Sequence, residues 1–293
     1  MKEKKLFAVS LMTAVGAIWG GAFVVMKDTL VRLDVNSFLA WRFIFATLLL
    51  IAIRPRVLKQ YNKAFLKKGV IIGLFLGSGY IFQSLGLTHT TVGKTGFITG
   101  LYVVLTPLVA AIALRKNINR WEWSSVAIAT IGLALLSFKG FSIGFGEFLV
   151  LVSALLFALH IVSLGEWASG LDTYALTVLQ LGTCAVMTFL ASLKGGFHTP
   201  PDAGVWEAII YTAIFATSLA FIVQTWAQSS MRATTVAVIL TTEVPFAAVF
   251  GIWILHEELT LRIALGGLLV LAAMYLIILF DNRKAVDLES YHD

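Results

Sequence analysis

Apolar residues run along the chain in ten blocks, near 6–26, 36–53, 69–88, 93–114, 123–138, 146–165, 174–193, 205–226, 231–255 and 262–280. Each approaches the ~20 residues an α-helix needs to cross a bilayer. Polar and charged residues collect in the short connections between them. Where water is absent, a block of this length satisfies its backbone only as a helix, so the pattern predicts an all-α membrane protein of ten transmembrane helices with no room for a soluble domain. The opening "MKEKK" and the block behind it have the outline of a signal peptide. That block is long, lacks a small-residue cleavage pattern and leads into nine more, and it reads as a retained first helix.

Composition agrees with the pattern. Of 293 residues, 59% are hydrophobic and 13% charged, against about 25% charged in soluble domains, and the mean hydropathy is +0.89. The net charge of +6 does not point to nucleic acid, because the basic residues lie in connections rather than on one face. Their distribution orients the chain instead. With the N-terminus cytoplasmic, the 54–68 connection lies inside and carries Arg54, Arg56, Lys59, Lys63, Lys67 and Lys68. The inner segments then hold 15 Lys and Arg against 6 outside, with Arg42 inside a span. Both termini are expected in the cytoplasm. The single Cys184 excludes an intramolecular disulfide.

Displacing the chain on itself by 138 residues aligns "LDVNSFLAWRFIFATLLLIA" from Leu33 with "LDTYALTVLQLGTCAVMTFLA" from Leu171. The same shift pairs Trp19 with Phe157, Lys94 with Arg232 and Pro107 with Pro245. Five helices are thus followed by five related ones, a first repeat over 1–138 and a second over 139–293 that ends in a short cytoplasmic tail. An odd number of helices inverts the second copy. Inverted repeats rocking about a site near the midplane are the usual construction of secondary transporters.

Particular segments carry a family resemblance. "AIWGGAFVVMK" in the first helix, "TGFITGLYVVLTPLVAAIALRK" in the fourth and "TTEVPFAAVFGIWILHEELT" in the ninth, with its exit at Glu257 and Thr260, resemble the EamA-type drug/metabolite transporters. The resemblance implies a carrier of the bacterial inner membrane, commonly an exporter of amino acids or other metabolites. It also implies a central cavity formed mainly by helices 3, 4, 8 and 9, with helices 1 and 6. The first copy departs from the second, since "RKNINRW" stands where the second has "LHEELTL".

Polar side chains inside spans must face the bundle interior or a wet cavity, because a charge at the bilayer centre costs at least about 2.5 kcal/mol. Glu243 lies mid-block with Pro245 two residues on. Proline cannot donate to the carbonyl of Thr241, so the expected arrangement is a carboxyl beside a free carbonyl, a site for a proton or a cation. The alternative is a neutral glutamic acid bonded to a neighbouring helix. Arg42 needs an acceptor: Glu243, a wet cavity or helix carbonyls. Its repeat partner Gln180 is neutral.

Tyr80 and Gln83 share one helical face, and Gln224 and Gln228 another. With Thr99 and Tyr102 these are uncharged donors and acceptors suited to an amino acid or another zwitterion, although helix-to-helix bonding also explains glutamines. His160 reads as a relay or cavity wall, or as a histidine bonded to Ser153 or Ser163. Trp19, Phe157 and Trp226 are candidates for an aromatic wall. Gly16 and Gly20, and Gly69, Gly73 and Gly77, have the four-residue spacing of close helix packing. His256, Glu257 and Glu258 cap, pair or gate the end of the ninth helix.

No metal site is expected, since no histidine or cysteine pair has ligand spacing, and no cofactor is expected. The partners expected are the lipid bilayer, a small-molecule substrate and protons as a candidate coupling ion. An uncoupled channel-like carrier is the nearest alternative. An intramembrane enzyme using Glu243 and His160 as an acid and base lacks any nucleophile-base motif, metal cluster or phosphate loop.

The charge count generates a test of topology. Alkaline phosphatase, active only outside the cytoplasm, should be silent when fused near Gln60 or after Asp293, while a cytoplasm-dependent fluorescent reporter should be bright at both places. Phosphatase activity at either place would refute the orientation.

Overall fold

The computed structural model describes residues 2–90, 92–137, 144–255 and 260–289, and among these there is no β-strand. The order is α1 (Lys2–Arg32), α2 (Val35–Ile53), α3 (Lys63–His89), α4 (Val92–Gly100), α5 (Tyr102–Leu114), α6 (Arg120–Ser137), α7 (Phe145–Trp167), α8 (Thr173–Leu193), α9 (Ala203–Ala213), α10 (Ala220–Gln228), α11 (Ala233–Leu240), α12 (Glu243–Leu255) and α13 (Leu261–Glu289). Within the described residues, nine helical stretches are long and apolar enough to cross a membrane. The fifth apolar block forms α6, an 18-residue helix whose first turn, Arg120, Trp121 and Glu122, is polar.

Three spans expected to be continuous are interrupted. α4 and α5 form one span, broken at Leu101, and α11 and α12 form another, broken at Thr241 and Thr242. Between α9 and α10 the chain adopts a π-helical turn, Ile214–Leu219. The helix starts are conventional. Asp34, Asp172 and Asp202 cap α2, α8 and α9 by accepting from the N–H groups of Ser37, Ala175 and Val205. Asp34 and Asp172 are repeat equivalents, and each also reaches across to the other half: Asp34 to His198 at 3.0 Å, Asp172 to Arg54 at 2.8 Å. Burial pushes the Asp172 carboxyl up, but the Ala175 N–H and Arg54 outweigh it and hold the group below the ordinary carboxylate range.

Packing repeats between the halves. α3 lies along α7, and the α9 to α10 span lies along α1. α1 packs on α12 as α7 packs on α4 and α5. α2 packs on α8 and α6 on α13, each helix on its own repeat equivalent. Two hydrophobic clusters result, one around Phe38, Phe43, Leu76 and Leu181, the other around Met12, Val103, Leu133 and Val238. Trp19 and Phe157, the aromatic pair related by the repeat, touch both clusters and stand at their junction.

The spaced glycines set helix distances. Gly73 and Gly77 of α3 face Thr183 and Cys184 of α8. Gly16 and Gly20 of α1 face the chain at the start of α12, where a Cβ on Gly20 would stand 2.7 Å from the Ala247 nitrogen and 2.7 Å from the Glu243 oxygen. Backbone cannot step aside as a side chain can. Gly20→Ala should therefore lower the thermal stability of the purified protein by about 1–3 kcal/mol. Gly96→Ala, with nothing within 4 Å of the added methyl, should be neutral or stabilising by up to about 1 kcal/mol. Equal melting of the two variants would disprove the close approach of α1 to α12.

Candidate functional site

At the junction of the two clusters lies a cavity of ≈ 70 Å³. The first half contributes Trp19, Ala22 and Met26 from one face of α1, Arg42 from α2, Leu76, Tyr80 and Gln83 from one face of α3, Thr99 from α4 and Tyr102 from α5. The second contributes Phe157, His160 and Ile161 from α7, Phe221 and Gln224 from α10, Leu240 from α11 and Glu243 from α12. Nine of the ten site residues expected from sequence line it; Gln228 does not. Trp226 stands away from it, edge-on to Phe7 at 6.0 Å. His256, Glu257 and Glu258 lie outside the described residues. Of the candidate aromatic wall, Trp19 and Phe157 line the cavity; Phe221 and Met26 escaped sequence reasoning, yet a signal existed, since Phe221 shares a helical face with Gln224 and Gln228, and Met26 shares one with Trp19.

Glu243 is 5% exposed and opens α12 directly after the break. The free carbonyl expected at Thr241 is not there, because the chain tightens and the N–H of Val244 donates to the Thr241 oxygen at 3.1 Å. A three-residue turn replaces the bond that Pro245 cannot make. The Thr241 and Thr242 hydroxyls turn back to the carbonyls of Val238 and Ile239 at 2.6 and 2.7 Å, which closes the end of α11. The carboxyl of Glu243 is thereby left to the cavity, with the Tyr102 hydroxyl as its polar neighbour. That hydroxyl is buried and closes no hydrogen bond of normal geometry. Gln83 donates to Thr99 at 3.1 Å, joining α3 to α4.

Arg42, 2% exposed, forms no ion pair with Glu243 among the described residues. Its Nε donates to the Thr217 hydroxyl at 2.6 Å and its Nη2 to the Ala216 carbonyl at 3.2 Å. Its guanidinium lies over the Tyr80 ring at 4.9 Å. The π-turn makes this possible. The N–H of Ala220 bonds to Phe215 and Thr217 and passes over Ala216, whose oxygen accepts instead from Arg42 and from Trp19 Nε1 at 2.8 Å.

His160 meets neither serine. Ser153 bonds its own helix, and His160 Nε2 lies 2.9 Å from Oε1 of Gln180, whose amide nitrogen donates to Thr225 at 2.9 Å. With the amide so placed, the imidazole proton is on Nε2. Gln224 donates to Gln228 at 2.9 Å and Gln228 to the Ile161 carbonyl at 2.8 Å, while Gln224 Oε1 has no hydrogen-bond partner among the described residues. Beyond Gln228 is a second cavity, ≈ 270 Å³, between the ends of α5, α7 and α10 and the start of α11. Two ion pairs between the halves flank it: Lys116 with Glu166, and Arg232 with Glu122 at 3.1 Å.

A bundle of lipid-length helices around an apolar-walled cavity into which a few polar side chains converge has the construction of a membrane transporter. Comparison with known proteins gives the family: the chain belongs to the EamA-like transporter family, which matches residues 6–138 and again 144–279. An uncharacterized transporter of Archaeoglobus fulgidus is 31% identical over 275 residues, 94% of this chain and 86% of that one. The uncharacterized transporter YoaV of Bacillus subtilis is 27% identical over 286 residues, 92% of this chain and 97% of its own. A solved crystal structure superposes with a TM-score of 0.78 over 94% of this chain and 98% of that chain, at 15% identity, a likeness of fold alone.

The polar contacts divide into bonded and unbonded groups, and stability distinguishes them. Tyr102→Phe removes a hydroxyl that closes no hydrogen bond of normal geometry among the described residues and should leave the melting transition unchanged or raise it. Gln180→Leu strands His160 and Thr225 and should cost about 1–3 kcal/mol. A Tyr102→Phe loss as large as the Gln180→Leu loss would show that the hydroxyl is bonded within the protein.

Proposed function

We propose that the protein is a secondary transporter that exports a small metabolite, an amino acid or similar zwitterion, across a bacterial inner membrane. In this reading α6 is the tenth span, residues 1–138 and 139–293 are inverted five-helix repeats, and both termini are cytoplasmic. Three things support the repeats: two family matches of similar length, the recurrence of each helix pairing in the other half, and the position of the cavity between the halves. The cavity is small beside the ~300 Å³ and upward of ordinary ligand pockets, so its walls must part to admit cargo. Rocking of one half against the other does that.

The observation that carries the reading is Glu243, a buried acid at a helix break, facing a cavity walled by both halves, with the Tyr102 hydroxyl beside it and no cation paired to it among the described residues. Such a group takes a proton or a substrate ammonium in one state and releases it in the other. The hydrogen-bonded amides of Gln224 and Gln228 separate the central cavity from the second one. The charge count puts that second cavity on the cytoplasmic side, where it would be the vestibule from which cargo enters.

Glu243→Gln keeps side-chain volume and most hydrogen bonds while removing the titratable group. In reconstituted vesicles, uptake and release of candidate amino acids would be followed from about pH 5.5 to 8. The expected result for Glu243→Gln is a normal melting temperature with transport lowered at least ~10-fold, or with its pH dependence gone. Transport by the variant at the parent's rate and with the parent's pH profile would refute a role for the carboxyl and favour an uncoupled carrier.

A further inference from the structure

Arg42 poses a question of charge. A guanidinium has five N–H donors and is ionised at any physiological pH. Arg42 sits mid-helix in α2 and is buried, in a place where an uncompensated charge costs about 2.5–3.5 kcal/mol or more. Its surroundings hold dipoles and rings: the Thr217 hydroxyl, the Ala216 carbonyl, the Met26 sulfur at 3.7 Å from Nη1, and the faces of Tyr80 and Phe43. Among the described residues no carboxylate pairs with it.

Its bonds to oxygen lie on one edge, and Nη1 meets the Met26 sulfur at 3.7 Å. Nε and Nη2 form the side-on edge of the fork, and both dock on the π-turn through adjacent residues, Thr217 and Ala216. The other edge, one N–H from each of Nη1 and Nη2, closes no hydrogen bond of normal geometry to an oxygen among the described residues, and the Tyr80 hydroxyl is a further polar neighbour of the guanidinium. That end-on pair is one of the two geometries in which arginine grips a carboxylate with two parallel hydrogen bonds, and Arg42 lines the cavity.

We infer that Arg42 is the anchor for a carboxylate on the transported substrate. The π-turn holds the side-on edge and so presents the end-on edge to the cargo. This rests on the transport reading above and adds polarity to it: the carboxylate end of the cargo lies toward α2 and the π-turn, the ammonium end toward Glu243 on α12. A single cation in a cavity of this size suits one negative charge. A phosphate monoester, with close to two charges and a tetrahedral head, lacks a second cation, and an amine without a carboxylate leaves the guanidinium uncompensated. A site built to hydrogen-bond a group discriminates strongly against analogues that lack it, because its own buried polar atoms are then stranded.

The test uses binding to the full-length protein in detergent, read as ligand-induced thermal stabilisation and titrated for apparent Kd. The probes are the common L-amino acids, each with its decarboxylated amine, its des-amino carboxylic acid and its methyl ester, and a phosphate monoester of similar size. Amino acids that bind the parent should bind roughly tenfold or more tightly than the matching amine and ester. Arg42→Lys, which keeps the charge but loses the fork, should weaken amino-acid binding by about tenfold while leaving amine binding as it was; Arg42→Gln should abolish the preference. The parent comparison needs no variant to fold. Amines and esters bound as tightly as amino acids would overturn the assignment while leaving transport of a cation intact. Binding of no carboxylate at all would also overturn it. Tight amino-acid binding unchanged in Arg42→Lys and Arg42→Gln would reduce Arg42 to a strut between α2 and the π-turn. Loss of pH-dependent transport in Glu243→Gln bears on the other end alone and is read separately.

Discussion

One carbonyl oxygen, that of Ala216, ties the site together. In hydrocarbon a backbone oxygen released from its helix must find another donor, and this one finds two, Trp19 Nε1 and Arg42 Nη2, both from the other half of the chain. The π-turn is thus tolerated because the halves meet there, and the halves are held at a set distance because the turn is there. Arg42 gains an acceptor and an orientation, Trp19 is fixed at the junction of the two hydrophobic clusters, and Tyr80 is pinned beneath the guanidinium. Remove the carbonyl's freedom and each of these side chains loses its partner. Extra turns of this kind occur often at functional positions in helices.

Around that contact the polar groups sort by consequence. His160, Gln180 and Thr225 form a chain in which each neighbour is satisfied, and Gln83 with Thr99 does the same on the opposite wall. Such pairs define how helices seat on one another. Glu243, the Tyr102 hydroxyl, the end-on edge of Arg42 and Gln224 Oε1 are the remainder, polar and poorly matched within the protein. Buried polar atoms left poorly matched and facing one cavity are candidates to meet something that enters it.

Much of this was legible in the sequence, for a physical reason: a polar residue inside an apolar block has nowhere to go but the interior. That rule alone assembled Tyr80, Gln83, Thr99, Tyr102, His160, Gln224 and Glu243 around one cavity. Asp34 and Asp172, aligned by the 138-residue displacement of the sequence, both cap the helix that follows. Pairings of individual atoms were not legible. Sequence places His160 as a relay or cavity wall, with Ser153 or Ser163 as the alternative partners; it does line the cavity, but its bond goes to Gln180 on a different helix. The π-turn carries neither proline nor glycine, in "IFATSL", so nothing local announces it. Pro245 announced a lost bond at the Thr241 carbonyl, but the backbone at 241 to 244 re-paired that carbonyl with the N–H of Val244. Helix breaks are legible from their cause, whereas their repair depends on geometry a few tenths of an ångström wide.

The contact of Gly16 and Gly20 with the start of α12 has an evolutionary consequence. These glycines press mainly on main-chain atoms around residues 242 to 247, so the distance between the two helices depends little on which side chains α12 carries beyond Thr242 and Phe246. A lineage can therefore replace the cavity-facing residue at 243 without shifting the frame that holds it. The spacing of α1 and α12 and the side chain at 243 are set by nearly separate parts of the sequence.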